Sequence, residues 1–429
     1  MQRVLILTVG GSHEPIVESI RHNSPDFVFF LCSDDIGSNK GSYVQVIGDG
    51  NVLRSSFDMA SPDLPNIVTL TGLQADGFEI RRIAKIDELP DCYRVAAAAI
   101  RDAHARSEDA TIFADYTGGT KSMTAGLVAA ALDDNKCALT MVTGVRKDLK
   151  KVIDRTSLVR SVQIADLQLL RRVKIAEELL ARYDYGAARE VIEEASRLCR
   201  HDESFQQLAE FATLCRGFDA WDRFDHQMAR ACLVGLSKGR CGKQKAFLEV
   251  MLEKRGHGFE MVEDILLNAA RRAAQHRYDD AVGRLYRATE MTAQIWLNEK
   301  YGIETGNIDL TKVPEHTRPS LEEDSDGKGR IRIGLIKAWD LISEMPDDSL
   351  GGKFLTFRPE LLKFLSVRNE SLLAHGIQPV GEPHFKLHSR TISSFIGAVI
   401  DLAIDDLKKR RKIPATQFPT EFGYTPALR

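Results

Sequence analysis

The chain lacks most of the signals that assign a function quickly. Its seven cysteines (Cys32, Cys92, Cys137, Cys199, Cys215, Cys232 and Cys241) include no C-x-x-C pair and no metal-ligand spacing, which argues against a disulfide framework or a zinc site. They read as reduced, mostly core thiols of a cytoplasmic protein. No apolar run reaches the ~18–20 residues of a membrane span. Met1-Gln2-Arg3 leads straight into a strand with no secretory signal, so no membrane partner is expected. A net charge of −3 gives no overall basic character, and any nucleic-acid contact must be local. The P-loop order G-x-x-x-x-G-K-[ST] is absent, and the first loop, Val9 to Glu14, is not G-x-G-x-x-G, so neither ATP hydrolysis nor NAD chemistry is indicated. No Asp/Glu/His cluster suggests a metal site, and no cofactor is expected.

What is present is ordinary globular composition, with 43% hydrophobic and 28% charged residues. A length of 429 residues suits two or three domains. The first part alternates strand-like and helical segments. Arg3 to Val9 and Asp26 to Cys32 are apolar runs of strand length, Asn66 to Leu70 is a third expected strand, and Cys92 to Arg106 is an alanine-rich helix. The fourth expected strand is Thr111 to Ala114, and Lys136 to Val145 is the fifth, with a short extended piece at Val152 to Arg155. This alternation predicts a parallel sheet covered on both faces.

The stretch ATIFADYTGGTKSMTAGL, Ala110 to Leu127, is the most informative. Its strand ends in Asp115-Tyr116-Thr117, Gly118-Gly119 allows a ligand to approach the backbone, and Thr120 is an N-cap candidate for a helix over Lys121 to Leu132. Helix N-termini attract phosphate, and Lys121 adds a cation. Ligands of open α/β sheets bind at the carboxyl ends of strands. One ligand there could touch Gly10, Gly11, Ser12, Ser33, Asp34, Thr117, Gly118, Gly119, Thr120, Lys121 and Ser122. The alternative is a glycine-rich turn that only packs. The basic run Arg146 to Lys151 reads as a solvated loop.

From about Ser157 onward strand-like alternation stops. Leu169, Val173, Ala176 and Leu180 recur at helical spacing. Helices are expected to follow to Cys199, over Asp202 to Gly217 and over Asp219 to Ser237. Trp221 and Phe224 read as core residues. Phe259 to Tyr301 is a further helical stretch, Glu304 to Arg330 a polar mobile loop, and Ile331 to Met345 helical. Pro359 to His375 is expected to be one helix ended by Gly376. Seven steps of about 100° would put Arg368 and His375 on one face, roughly 10.5 Å apart along the axis. Alone, that pair reads as a solvated helix edge.

The D-Y-T-G-G-T-K string, Asp115 to Lys121, resembles the ligand loop of CARF domains, the Rossmann-like sensors of CRISPR-associated proteins that bind cyclic oligoadenylates. The string Arg368 to His375 looks like the R-x(4–6)-H signature of HEPN ribonucleases, including the polar Asn369 after the arginine. Together, in this order, they resemble the CARF–HEPN accessory ribonucleases of type III CRISPR systems. The implied architecture is an α/β Rossmann-like CARF domain (1–156), an all-α spacer (157–255) and an all-α HEPN domain (256–429).

The resemblance implies a homodimer in which a cyclic oligoadenylate, tetra-adenylate favoured, activates metal-independent cleavage of single-stranded RNA. Arg368, Asn369 and His375 would be catalytic. Histidine can move the proton of an attacking ribose 2′-OH, and arginine can stabilise charge on the phosphate. A non-catalytic sensor that binds a partner, or an enzyme degrading its own cyclic ligand through Thr117, Thr120 and Lys121, remain alternatives.

Overall fold

The computed structural model describes residues 2–48, 65–107, 109–134, 136–143, 146–147, 151–152, 158–162, 164–197, 199, 202–236, 241–409 and 413–424. The chain forms two compact units, residues 1–168 and 169–429.

The first unit runs β1 (Arg3–Val9), α1 (Glu14–Asn23), β2 (Phe27–Ser33), α2 (Val44–Ile47), α3 (Ile67–Thr71), β3 (Phe78–Ile83) and α4 (Leu89–Arg106), then β4 (Thr111–Asp115), α5 (Lys121–Asp133) and β5 (Cys137–Thr143). A short ribbon, β6 (Arg146–Lys147) and β7 (Lys151–Val152), precedes β8 (Leu158–Val162). The six-stranded sheet has the order β3-β2-β1-β4-β5-β8. Its first five strands are parallel and β8 is antiparallel to β5.

Strands β1 and β2 are buried on both faces, which is why they read as continuous apolar runs. Alternate side chains go to opposite cores. Val4, Ile6, Phe29 and Leu31 pack with Ala96, Ala99 and Leu127 on one face. Leu5, Leu7, Val28 and Phe30 pack with Ile16 and Ile20 on the other. The strand order reverses between β1 and β4, a topological switch point whose crevice lies at the strand carboxyl ends.

Two expectations fail here. Asn66 to Leu70 is not a strand: Ile67–Thr71 is a helical turn, and the Asn66 side chain caps it by accepting from Thr69 N at 2.9 Å. The third strand is instead Phe78–Ile83, FEIRRI, at the sheet edge, where charged side chains are tolerated. Of the basic run Arg146 to Lys151 and the piece Val152 to Arg155, residues 148–150 and 153–155 lie outside the described residues.

The second unit is helical. Helix α6 (Ala165–Leu180) carries the chain into it, followed by α7 (Tyr185–Ser196), α8 (Asp202–Asp222), α9 (His226–Val234) and α10 (Gly242–Leu252). Then come α11 (Glu260–Ala274), α12 (Tyr278–Tyr301), α13 (Arg318–Glu322), α14 (Leu335–Glu344), α15 (Gly351–Glu370) and α16 (Glu382–Asp406). The expected break near Gly217 is absent. Gly217 lies within α8, which ends at Asp222 before Asp225 caps α9. The expected single stretch Phe259 to Tyr301 is broken at His276, whose φ is +59°. The segment expected as a mobile loop over Glu304 to Arg330 holds α13 and two short 3-10 turns and buries Ile308, Val313 and Leu321.

Two hydrophobic cores fill this unit, one from α6 to α10 and one from α11 to α16. Trp221 is buried in the first, as expected, whereas Phe224 packs at the edge of the second. The tail after α16 crosses back, and Phe418, Phe422 and Tyr424 complete the first core. Between the cores, fully buried Arg271 donates from Nε to Asp222 at 2.7 Å and from Nη1 to Gln417 at 2.8 Å, under the Phe418 ring at 3.7 Å. Burial pushes its pKa down to about 10. Asp264 accepts from Trp221 Nε1 at 3.1 Å and contacts His226 Nε2 at 3.0 Å. No helix among the described residues is long and apolar enough to cross a membrane.

Candidate functional site

The first candidate site lies on the rim of the first unit, where β1 and β4 end. Asp115, the last residue of β4, is buried at 2% exposure. Its Oδ1 accepts from Thr117 N at 2.9 Å, and its Oδ2 accepts from Ser19 Oγ at 2.7 Å and Thr140 Oγ1 at 3.3 Å. Burial raises its pKa, and these donors oppose the rise. The Gly118 carbonyl accepts from Thr8 Oγ1 at 2.5 Å and Thr124 Oγ1 at 3.0 Å.

The glycines join the two loops backbone to backbone. A Cβ on Gly118 would sit 2.3 Å from the Thr8 carbonyl oxygen, and one on Gly10 would sit 2.5 Å from Gly119 N. Gly119 itself has φ +86°, a conformation that disfavours any side chain. Thr120 caps α5, accepting from Met123 N at 3.3 Å, and its hydroxyl donates to the Ile86 carbonyl at 2.9 Å. Ser122 Oγ donates to the Asp87 carbonyl at 3.1 Å. The start of α5 thereby holds the loop that follows β3. Lys121 is exposed at the helix start.

Ser33 ends β2, and β1 and β2 pair in register with Val9 opposite Cys32, so Ser33 and Asp34 lie beside Gly10, Gly11 and Ser12. Ser33 and Ser42 exchange hydrogen bonds: Ser33 N donates to Ser42 Oγ at 2.9 Å, and Ser42 N donates to Ser33 Oγ at 2.7 Å. Asp34 pairs with Arg82 at 3.2 Å, and that guanidinium covers the Tyr43 ring at 3.8 Å. All eleven candidate ligand residues therefore share one rim. Sequence reasoning missed Arg82, because it misplaced β3, and missed the Ser19 and Thr140 supports, which only the fold brings to Asp115.

The second candidate site is in the helical unit. Here the expected helix through His375 fails: α15 ends at Glu370. Ser371 turns extended at ψ 153°, and the chain folds back on the helix end. Ala374 N and Gly376 N donate to the Ser371 carbonyl at 3.0 and 3.1 Å, and Gln378 N donates to the Glu370 carbonyl at 3.0 Å. A Cβ on Gly376 would lie 2.0 Å from that same Glu370 oxygen. Val380 N, bonded to Asp279 Oδ2 at 3.2 Å, fixes the returning chain to α12.

The fold-back still brings the expected residues together, through Asn369. His375 N donates to the Asn369 carbonyl at 3.3 Å, and Arg368 Nη1 donates to Asn369 Oδ1 at 3.0 Å. The Arg368 guanidinium also lies over the Tyr286 ring, 4.5 Å from its centroid. His375 is exposed, and its neighbours Leu372, Leu373 and Ile377 are 66%, 63% and 80% exposed. Half-buried Arg368 and exposed His375 thus flank Asn369, bonded to its side chain and to its backbone respectively, beside the exposed Leu372, Leu373 and Ile377. Among the described residues, no three His, Cys, Asp or Glu groups cluster so as to hold a metal ion.

Residues 253–398 match the family model described as the Csm6 HEPN domain. No curated protein sequence matches the chain. Among solved structures, Enterococcus italicus Csm6 bound to cyclic hexa-2′-fluoro-hexa-dAMP is similar over 96% of this chain and 96% of that chain, at 14% identity and a TM-score of 0.55. That likeness establishes a shared fold. A type III CRISPR defence DNA nuclease activated by cyclic oligoadenylate aligns with 50% of this chain and 34% of its own, at 14% identity and a TM-score of 0.24, too low to support a comparison.

Proposed function

We propose that this chain, whose residues 253–398 match the Csm6 HEPN family model, is a cyclic-oligoadenylate-activated endoribonuclease of type III CRISPR defence. The observation that carries the reading is the joining of Arg368 and His375 through Asn369 at an open surface of that domain. In this reading His375 takes the proton from a ribose 2′-OH, which attacks its own phosphate. The bond to the 5′-oxygen of the next nucleotide breaks, leaving a 2′,3′-cyclic phosphate. Arg368 stabilises the charge that grows on the phosphate oxygens, and Asn369 orients Arg368. No metal is required by this chemistry.

Two protons must move, one from the attacking and one to the leaving oxygen, and each chain offers one exposed histidine at this site. A two-fold pair of chains supplies two, with the apolar residues Leu372, Leu373 and Ile377 covered by the contact. A cyclic ligand suits a two-fold pocket on the sensor rim, formed from Gly10 to Ser12, Ser33, Asp34 and Thr117 to Ser122. Its binding shifts the nuclease dimer toward a competent arrangement. Tetra-adenylate is the favoured activator.

The test is cleavage of single-stranded RNA by the purified protein with cyclic tri-, tetra- or hexa-adenylate. Replacing His375 by alanine should reduce ligand-stimulated cleavage by ~10²–10⁴ while leaving cyclic oligoadenylate binding intact. Chelator should make no difference. Full activity of both the His375→Ala and the Arg368→Ala proteins, or arrest by EDTA, would remove Arg368 and His375 from the chemistry.

A further inference from the structure

We infer that Tyr286 is a positioning residue for Arg368: its ring face holds the guanidinium in place without neutralising it, so that the charge stays available to RNA phosphate. The inference rests on the catalytic reading of Arg368.

The contrast with neighbouring arginines carries it. On the same helix as Tyr286, Arg287 pairs with Glu290 at 2.6 Å and Arg284 with Asp280 at 3.2 Å. On the same helix as Arg368, Arg358 binds Asp340 at 2.8 Å. Arg368 has no carboxylate within ion-pair distance among the described residues. Its contacts are the Asn369 amide oxygen and the Tyr286 ring, both uncharged.

A carboxylate partner would fix the guanidinium but cancel its field. A ring face attracts the cation through its quadrupole and leaves the net charge in place. Guanidinium has five N–H donors in a fixed fork, and one is spent on Asn369. The others remain for a phosphate, which arginine grips bidentately.

Tyr286 is well placed to act as a fixed platform. It is half-buried on α12, between buried Leu285 and Ala288, and packs against the larger helical core. Burial raises its phenol pKa and Glu290 adds to the rise, while Arg368 opposes it, so the ring is neutral at physiological pH. Arg368, by contrast, sits on the last turn of α15, where the helix gives way to the fold-back. Without the ring its long side chain would have only the neighbouring amide to hold it.

The experiment is a double-mutant cycle between Tyr286 and Arg368. Two quantities are read: cleavage of single-stranded RNA, and affinity for a 2′-O-methylated RNA that cannot be cut. Both are measured with whichever of cyclic tetra- or hexa-adenylate activates. Tyr286→Leu should lower cleavage by about 2- to 30-fold, the range set by a cation–π contact that is partly desolvated. Tyr286→Phe, which keeps the ring, should stay within about 2-fold of the parent.

The non-cleavable RNA should bind more weakly to Tyr286→Leu in the parent background. In the Arg368→Ala background the same change should have no further effect. Equal weakening in both backgrounds, or a phenylalanine variant as damaged as the leucine one, overturns the inference. So does a leucine variant of parental activity while Arg368→Ala is impaired. If Arg368→Ala itself cleaves and binds normally, the catalytic reading falls and the inference with it.

Discussion

Replacing Gly376 by alanine tests the proposed role of the fold-back after α15 without touching either group assigned to the chemistry. A Cβ there would lie 2.0 Å from the Glu370 carbonyl oxygen, 2.3 Å from its carbon and 2.6 Å from its Cα, against a floor of 3.0 Å for real Cβ contacts. The obstacle is helix backbone, which cannot rotate aside, so the turn must retreat by at least 3.0 − 2.0 = 1.0 Å. That turn carries His375, whose N–H bond to the Asn369 carbonyl is already 3.3 Å long. A misplacement of about 1 Å costs on the order of 10² in rate where geometry limits the chemistry. Loss of one or two turn hydrogen bonds costs only about 0.5–1.5 kcal/mol each, so the protein should still fold. Gly352→Ala, at an exposed position with nothing within 4 Å, is the control and should cleave normally. Initial rates of activated RNA cleavage, with melting curves alongside, give the answer. A Gly376→Ala protein that cleaves at the parental rate would refute the claim that this turn positions His375.

Lys121→Ala should weaken cyclic oligoadenylate binding about 10- to 100-fold, the value of one charge-assisted hydrogen bond of ~1.5–3 kcal/mol. Melting should be unchanged, because the side chain is exposed, and unaltered affinity in calorimetry would remove Lys121 from the site. Asp115 has a pKa raised above 3.8 by burial, so the native state favours its protonated form. Its stabilising contribution is therefore fully present below 3.8 and lost as pH rises through the raised value. Asp115→Asn should lack that slope, and parallel melting profiles against pH for the two proteins would contradict it. Phe418→Ala should destabilise the helical unit by ~3–5 kcal/mol, since the ring is 3% exposed and lies 4.9 Å from Trp221 and 5.0 Å from Phe218. A denaturation midpoint equal to the parent's would show that the tail is not part of that core.

The rim of the first unit was legible because its signals are local. A buried strand, a pair of glycines and a threonine cap follow one another between Thr111 and Lys121, and Thr120 caps α5 as expected. The sheet edge was not legible. Ile67 to Thr71 carries the apolar residues of a strand, yet Asn66 converts it to a capped turn, while FEIRRI hides a real strand under alternating charge. The Arg368-to-His375 segment failed for a different reason. Its leucines continue the helical period past Glu370, but Leu372 and Leu373 are exposed and the chain turns away. The bonds that fix the turn reach to Glu370 and to Asp279 on another helix, and no local pattern encodes them. The return of the tail was equally invisible, because its aromatic residues carry no periodicity of their own.

That return has a consequence for how the protein is made. Tyr185 binds the Pro419 carbonyl across 234 residues of chain, and Gln244 binds that of Gln417 across 173. A ribosome delivers α6 to α10 long before the residues that close their core, with α11 to α16 emerging in between. During that interval the α6–α10 segment has an open apolar slot where Phe418, Phe422 and Tyr424 will sit, and such exposed surface is prone to misassembly. Closing contacts of such high sequence separation is slow. The sealing of the first core therefore waits on the synthesis of the second.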